Sequence, residues 1–164
     1  AVILSLDHNI ADLNDSKMLT PNEREALYEQ IYGKAIAIGI GLVSPEVIDR
    51  INILEASREA MKKAIEAIEP LPDFLLVDGN MYPLGKVPQQ SIVDGDKKSE
   101  SIAAASIIAK VFRDRMMEGY DKQYPYYHFS SHKGYPTAKH LAALEAHGVT
   151  SIHRKTFRGV RHLI

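Results

Sequence analysis

The sequence contains no cysteine and no tryptophan. Without cysteine the chain forms no disulfide framework and offers no thiolate nucleophile or metal ligand, which is compatible with a reducing cytosol. Its longest apolar run, residues 35–43, is far shorter than the roughly 20 residues needed to span a bilayer. These absences exclude a disulfide-rich scaffold, and we expect a cytoplasmic protein.

Low-complexity linkers and internal repeats are also lacking. With 45% apolar and 25% charged residues the chain has the composition of an ordinary globular protein. A length of 164 residues is enough for one domain with a sizeable core. We therefore predict a single domain over residues 1–164.

Negative charge is scarce at one end of the chain. The net charge is only −1, yet residues 121–164 contain 7 Lys and Arg against 2 Asp and Glu, together with six of the seven histidines. A basic segment of this kind, from about 121 to 164, indicates an anionic partner. A solvated basic tail is the alternative interpretation.

The chain opens on Ala1-Val2-Ile3-Leu4, in the middle of an apparent strand. Either an initiator Met has been processed or trimmed away, or a segment upstream has been left out. The first residues alone leave both interpretations open.

Strand and helix patterns alternate along the chain, which predicts an α/β layer fold. Thr20 and Glu23 form a capping-box pattern, and Gly33 is expected to end the helix that they begin. Asn52 and Thr137 are further helix starts, and Gly148 is a helix stop. The predicted strands are 1–6, 35–43, 74–77 and 91–93, and the predicted longer helices are 20–32, 52–68, 100–120 and 137–147, with a loop at 123–134.

Asp78 directly follows the apolar run at 74–77. Ligands of α/β sheets gather beyond the strand ends, so a carboxylate at this place indicates a binding site. An Asp-Gly turn at Asp78-Gly79 is the alternative. A phosphatase of the haloacid-dehalogenase type is disfavoured because Leu76 stands where its nucleophilic aspartate would be.

Asp96 lies just before the small-residue-rich helix that begins near Glu100. Together with Asp78 it could hold a hard divalent cation against phosphate, because such ions prefer carboxylate oxygens. Two carboxylates are few for that task. Since Asp94, Lys97 and Lys98 are neighbours, a solvated charge cluster is the competing interpretation.

Three further groups could contact nucleic acid. Tyr135 follows Lys133-Gly134, where a flat ring and a cation could meet a base or sugar and a phosphate. Ser16 and Lys17 follow Asn14-Asp15, and Lys110 and Arg113 share a helix face. Each group has a structural alternative as a turn or an exposed helix face.

These motifs together resemble ribonuclease HII, the bacterial type 2 ribonuclease H, over essentially the whole chain. The segments that carry the resemblance are Asn14-Asp15-Ser16-Lys17, Val77-Asp78-Gly79-Asn80, Pro88-Gln89-Gln90, Gly95-Asp96, residues 101–110, Arg113-Asp114, residues 132–137 and Ile152-His153-Arg154.

The resemblance implies a ribonuclease-H-like fold, a mixed five-stranded sheet flanked by helices. It implies a Mn²⁺- or Mg²⁺-dependent endonuclease that hydrolyses the RNA strand of RNA–DNA hybrids and cuts 5′ of ribonucleotides embedded in duplex DNA. The products would carry 5′-phosphate and 3′-hydroxyl ends. We expect a monomer.

Residue by residue, the resemblance makes Asp78 and Asp96 two of four acidic metal ligands. Tyr135 would pack on the sugar at the RNA-to-DNA junction, while Ser16, Lys17, Lys110, Arg113 and Lys133 would hold the nucleic acid. The family's first-strand motif Asp-Glu-Ala-Gly-Arg-Gly, with the other two carboxylates, is nowhere in this sequence. We expect that this central strand lies upstream of Ala1.

A chain lacking that strand should be inactive and poorly stable by itself, because the metal site is short of ligands and neighbouring strands lose partners. The alternative function is a non-catalytic remnant that binds RNA–DNA hybrid through its basic end.

Overall fold

The computed structural model describes residues 1–13, 16–80 and 84–164. Asn14 and Asp15, which precede Ser16 and Lys17 in one of the predicted nucleic-acid contact groups, lie outside the described residues. The described elements alternate between strands and helices, which confirms the α/β class. In chain order they are β1 (Val2–Leu4), α1 (Pro21–Lys34), β2 (Ala35–Ile38), α2 (Pro45–Ile51), α3 (Ile53–Glu66), β3 (Leu75–Asp78), β4 (Gln89–Ile92), α4 (Glu100–Gln123), α5 (Phe129–His132) and α6 (Ala138–His147).

The four described strands form two separate pairs. β1 is antiparallel to β2, with Val2 opposite Ile38, and β3 is parallel to β4, with Asp78 opposite Ile92. The described residues thus hold four strands in two pairs, while the resemblance implies five in one mixed sheet. That a central strand lies outside this sequence stays a prediction.

The predicted helix starts are confirmed by their hydrogen bonds. The Thr20 hydroxyl accepts the Glu23 N–H at 3.3 Å, and the Glu23 carboxylate accepts the Thr20 N–H at 2.7 Å, so α1 begins with a complete capping box. The Asn52 side chain accepts from the first turn of α3, and the Thr137 hydroxyl accepts the His140 N–H at 3.2 Å. Local side-chain chemistry fixes these boundaries.

The prediction that Gly33 ends α1 is wrong. The helix continues to Lys34, and the Ala35 N–H still donates to the Ile31 carbonyl before the backbone becomes extended. Helix α1 therefore runs directly into β2, and no left-handed glycine is needed for the turn.

The strand predicted at 35–43 ends early, at Ile38. Gly39 and Gly41 pass against helix α3 so closely that a Cβ on them would lie 2.0 Å from the Ala64 carbonyl and 1.8 Å from the Ala60 carbonyl. This close approach of two backbones explains the glycines. Gly39 still exchanges hydrogen bonds with Ala1, at 3.0 and 2.8 Å.

The segment predicted as a loop at 123–134 is partly helical. Helix α4 extends to Gln123, and the residues after it form a 3₁₀ turn at Pro125–Tyr127 followed by the short helix α5. Tyr127 and Phe129 are buried in this segment. Tertiary burial of two aromatic side chains orders a stretch whose sequence has no helical period.

The backbone groups into two compact units. Unit 1 comprises Ala1–Leu42 and Ser57–Val111, and unit 2 comprises Val43–Ala56 and Phe112–Ile164. Each unit is built from two stretches of chain, and α4 contributes to both. The prediction of one domain over 1–164 stays a prediction.

Unit 1 has an aliphatic core. Its buried side chains come from one face of α1, the first half of α4 and Ile10 in the loop before α1, and strands β1 and β2 pack against them with half-buried residues. The buried set is Ile10, Leu27, Tyr28, Ile31, Ala104, Ile107, Ile108 and Val111. Small residues in α4 allow the close packing that the sequence indicated.

Unit 2 has an aromatic core. Phe129 and Tyr127 are stacked with ring centroids 5.3 Å apart, and they are surrounded by Met117, Leu144 and Val160. In the part of the chain that the structure describes, no helix is long and apolar enough to cross a membrane.

Candidate metal centre and nucleic-acid interface

Asp78 is the last residue of β3, at the carboxyl end of the parallel pair. The ladder closes just beyond it, where the Gly79 N–H donates to the Ile92 carbonyl at 2.9 Å. Gly79 has a φ of +81°, so the chain turns away at once. The Asp78 side chain is therefore left exposed at the edge where ligands of parallel sheets bind.

Asp96 lies in a 3₁₀ turn, Gly95–Lys97, that links β4 to α4. Asp94 enters the turn in a left-handed conformation with a φ of +53°, which Asp tolerates better than most residues. Asp96 itself is only 7% exposed. A carboxylate buried to this degree needs hydrogen-bonding or electrostatic partners, and Asp96 has them.

Gly95 joins the two aspartates. Its N–H donates to the Asp78 Oδ1 at 2.8 Å, which anchors that carboxylate next to Asp96. A Cβ at position 95 would come within 2.6 Å of the Ile102 Cδ1 and 3.2 Å of the Asp78 Oδ1. Only glycine fits here without displacing its neighbours, and the tight turn places the Asp78 carboxylate against the residue that precedes Asp96.

The ligand chemistry of this pair suits Mg²⁺ or Mn²⁺, which prefer oxygen donors. The number of ligands is too small for such an ion. Within residues 1–13, 16–80 and 84–164, no group of three or more His, Asp or Glu could hold a metal ion. Two other acidic side chains are engaged elsewhere: Asp7 with the Ser5 hydroxyl, and Glu100 with the His8 Nε2 at 3.2 Å. The described residues thus fit part of a two-ion site and do not complete one.

Ser16 and Lys17 lie in different environments. The Ser16 hydroxyl is 2.9 Å from the Ser106 hydroxyl on α4, and Ser16 is only 4% exposed. Its carbonyl accepts from the Arg24 guanidinium at 2.9 Å. Lys17 is exposed. Of the two, Lys17 has the accessibility that a phosphate contact needs, whereas Ser16 anchors the loop to α4.

The turn at residues 133–137, called the Tyr135 turn below, presents an exposed aromatic ring. Lys133 and Gly134 are both left-handed, with φ of +49° and +83°, and Tyr135 is 60% exposed. The Tyr135 N–H donates to the His132 carbonyl at 2.8 Å. An exposed ring on a hydrogen-bonded main chain is suited to stacking on a base or sugar.

The cations near the Tyr135 turn are partly committed to it. Arg113 on α4 donates to the Lys133 carbonyl at 3.1 Å, and the Lys133 ammonium pairs with Glu118 at 2.7 Å. Lys110 is half-buried one turn earlier on α4. Arg113 is exposed and retains donors for a phosphate, while Lys133 would have to exchange Glu118 for one.

Sequence reasoning missed that three histidines of unit 2 form one buried group. His132, His140 and His153 are all buried there, directly behind the Tyr135 turn. The concentration of histidine after residue 121 was the available signal, but it was interpreted as part of a basic segment, and His132 as a donor to the nucleic-acid backbone. Asp49 was overlooked as well: its carboxylate accepts from the Lys155 N–H at 2.7 Å and the Thr156 N–H at 3.0 Å, which fixes the basic segment to α2.

Comparison with known proteins places the chain in a family. The sequence model described as Ribonuclease HII matches residues 6–160. The chain belongs to the ribonuclease HII family. Proteins named ribonuclease HII from Bacillus anthracis and Enterococcus faecalis are 52% and 51% identical to it over 164 residues. The one from Lactobacillus acidophilus is 50% identical over 160 residues.

The chain spans less than two thirds of these relatives. All of it aligns with the Bacillus anthracis ribonuclease HII, but it covers 63% of that protein, and it covers 64% of the other two. The crystal structure of ribonuclease H2 from Pyrococcus horikoshii has a TM-score of 0.80 and 28% identity, over 93% of this chain and 80% of that one. The ribonuclease-H-like fold predicted from the motifs is thereby confirmed.

Proposed function

We propose that this chain forms part of a metal-dependent endonuclease that hydrolyses the RNA strand of RNA–DNA hybrids. The observation that carries the proposal is the hydrogen bond from Gly95 to Asp78, which fixes one carboxylate beside Asp96 at the end of a parallel strand pair in a ribonuclease HII chain. Cleavage 5′ of ribonucleotides embedded in DNA, leaving 5′-phosphate and 3′-hydroxyl ends, is part of the proposal.

Asp78 and Asp96 would be ligands of Mg²⁺ or Mn²⁺. When bound, such ions neutralise charge on the scissile phosphate and activate a water molecule. The role of the chain is to hold the Asp78 carboxylate through a main-chain donor, so that its position does not depend on a flexible side chain. Asp96 is held by its burial in the tight turn.

A sugar of the nucleic acid would pack on Tyr135, and its phosphates would contact the nearby cations. Ring stacking tolerates any base, and cation–phosphate pairs add affinity that falls with salt. Lys17, Lys110 and Arg113 are the candidate phosphate contacts, with Lys133 after exchange of its partner and Ser16 as support of the Lys17 loop.

Residues 1–164 alone should not cleave, because the described residues offer two carboxylates together where a two-ion site needs more. The test compares this polypeptide with the full-length gene product on a duplex with a single ribonucleotide, in Mg²⁺ and in Mn²⁺. We expect cutting 5′ of the ribonucleotide only by the gene product. Cutting by residues 1–164 would refute the proposed shortage of ligands.

The metal role of Asp78 is tested in the gene product with Asp78→Asn. This change should lower the cleavage rate by more than about a hundredfold and spare hybrid binding, because loss of a direct ligand should exceed the 10–100-fold cost of outer-shell changes. Asp94→Asn is the matched control: it removes the same charge two residues from Asp96, and Asn tolerates its left-handed backbone. Equal rates for both variants would refute the role.

The second candidate is a non-catalytic hybrid binder, favoured by the basic segment that Asp49 fixes to α2. Binding whose affinity falls steeply with salt, without cleavage by the gene product, would support it over the nuclease. A cytoplasmic location and a monomeric state complete the proposal; cell fractionation and sedimentation equilibrium test them.

A further inference from the structure

A cluster of three buried histidines lies behind the Tyr135 turn. His132 ends α5, His140 lies in the first turn of α6, and His153 lies in the loop that follows α6. The rings of His132 and His140 stack with centroids 4.3 Å apart, and His153 follows at 5.5 Å from His140. Phe129 packs against all three rings, at 5.4 to 5.8 Å.

Hydrogen bonds with backbone groups fix the proton positions of His153 and His140. The Thr150 N–H donates to the His153 Nδ1 at 3.1 Å, so the proton of His153 is on Nε2. That Nε2–H donates to the His140 Nε2 at 3.2 Å, which leaves the His140 proton on Nδ1. The His140 Nδ1–H in turn donates to the Tyr135 carbonyl at 3.0 Å.

His132 is fixed in the same way. Its Nδ1 accepts the Gly134 N–H at 3.2 Å, and its Nε2–H donates to the Tyr127 carbonyl at 2.7 Å. One set of neutral tautomers thus satisfies all six ring nitrogens. Two of these bonds end on main-chain atoms of the Tyr135 turn, at Gly134 and Tyr135.

An added proton has different consequences at the three rings. On His132 it would occupy the nitrogen that accepts the Gly134 N–H, so two donors would oppose each other in a buried site. On His140 it would face the His153 Nε2, which can accept it if His153 donates from Nδ1 to the Thr150 hydroxyl, 2.8 Å away. The bond from the His140 Nδ1–H to the Tyr135 carbonyl is compatible with both arrangements.

The surroundings of His140 and His153 favour their neutral forms. Burial, with a smaller effect of the neighbouring His140 ring, lowers the pKa of His153 to about 4. Burial likewise lowers the pKa of His140, with a smaller effect of His132. The Tyr127 ring also packs on the cluster, with its centroid 5.3 Å from that of His153. Nearby charged groups have partners of their own: Arg113 and Glu118 of α4 contact Lys133, and Asp49 of α2 contacts Lys155 and Thr156.

We propose that the buried rings of His132, His140 and His153 position the Tyr135 turn for the nucleic acid. The three side chains are positioning residues, since they act through the Gly134 N–H and the Tyr135 carbonyl. The inference rests on the proposed function only in assigning Tyr135 to the nucleic acid. The coupling between the rings and the turn is independent of that function.

The first experiment measures the coupling without nucleic acid. In the full-length gene product, a pH titration from 8 to 4 is followed by NMR on the ring nitrogens of the histidines and on the Tyr135 amide. We expect the Tyr135 amide signal to change in the same transition as His140 and His153, well below the ordinary histidine pKa of about 6.5. A Tyr135 signal that does not follow these rings overturns the inference.

The second experiment measures binding of a single-ribonucleotide duplex in EDTA, which prevents metal-dependent cleavage. At pH 7.5, His140→Leu should weaken binding about tenfold, the effect of one lost hydrogen bond. His140→Asn keeps an N–H donor near the Nδ1 position and should restore most of the affinity. The exposed His162 provides the control, since His162→Gln should bind like the wild type.

The two experiments separate the two proposals. If the Tyr135 amide follows the rings while duplex affinity is unchanged by His140→Leu, the positioning role stands and the assignment of Tyr135 to the nucleic acid fails. If His140→Leu and His140→Asn weaken binding equally while both remain folded, the hydrogen bond to Tyr135 is not what matters and the inference fails. If His140→Leu does not fold, the titration of the wild-type protein still tests the coupling between the histidine rings and the Tyr135 turn.

Discussion

The two units place their candidate functional groups in different ways. In unit 1 the Asp78 carboxylate is held by a main-chain donor, Gly95, in a turn where a Cβ would press on the Ile102 side chain. In unit 2 the exposed Tyr135 is held from behind by buried, ionisable rings. Main-chain donors do not titrate, whereas imidazoles do. Unit 1 should therefore depend on backbone sterics, and unit 2 on aromatic packing and pH.

The largest effect is expected from Phe129→Ala in unit 2. Phe129 is 1% exposed and contacts Tyr127 and all three histidine rings, so its loss should lower the free energy of unfolding by about 3–5 kcal/mol. Urea unfolding of the gene product measures it. Tyr126→Ala, on a ring that is 67% exposed, is the control and should cost far less. Similar costs for both would contradict an aromatic core.

Gly41→Ala tests the backbone contact of unit 1. The new Cβ would lie 1.8 Å from the Ala60 carbonyl, so helix α3 must move, and we expect a loss of about 3 kcal/mol. Gly33→Ala adds the same methyl group inside α1 with no atom within 4 Å, and it should stabilise by about 0.4–1 kcal/mol. Thermal unfolding compares the pair. The contact would be disproved if Gly41→Ala proved neutral.

Acid should weaken unit 2 before unit 1. The pKa of His153 is lowered to about 4 in the folded protein, while the unfolded value is about 6.5. The unfolded state thus binds the proton more readily than the folded state. The contribution of His153 to the free energy of unfolding is therefore complete above pH 6.5 and is lost as the pH falls towards 4. At pH 5 the loss from this ring should be about 2 kcal/mol. His140 acts in the same direction.

Hydrogen exchange at pH 7.5 and pH 5 measures the effect of acid on the stability of each unit separately. Protection of amides in α6 should fall with pH, while amides in α1 should keep theirs after correction for the intrinsic exchange rate. Equal losses in the two helices would remove the contrast between the units.

The smallest effects are expected at the helix caps, one in each unit. Thr20→Ala and Thr137→Ala each remove a hydroxyl that accepts a first-turn N–H, at 3.3 and 3.2 Å, and should cost about 1 kcal/mol. Because Thr20 also belongs to a reciprocal capping box, its loss should be the larger. Thr→Ser at either position keeps the acceptor and serves as the control in urea unfolding.

Local chemistry made much of the fold predictable. The caps at Thr20, Asn52 and Thr137 act within four residues, so their helix starts could be predicted from neighbours alone. Asp78 could be placed because an apolar run ending in Asp-Gly predicts a strand end. Gly33 was misjudged because nothing local distinguishes a glycine that stops a helix from one that the helix tolerates.

Contacts between distant residues could not be predicted. The contacts of Gly41 with Ala60, of Asp78 with Gly95 and of Asp49 with Thr156 each join segments that lie far apart in the sequence. The histidine cluster is of this kind: its members come from two helices and a loop, and their tautomers are fixed by backbone groups of other segments.

The sequence alone determined the family and the α/β class, because motif order and local patterning are written along the chain; the pair Asp78 and Asp96 stays a prediction. The tertiary structure decided that Asp78 is held by Gly95, that Gly39 and Gly41 lie against helix α3, and that three histidines are buried behind Tyr135. The physical reason is that burial and hydrogen-bond partners depend on which distant segments meet, and they set the charge state of a side chain as much as its identity does.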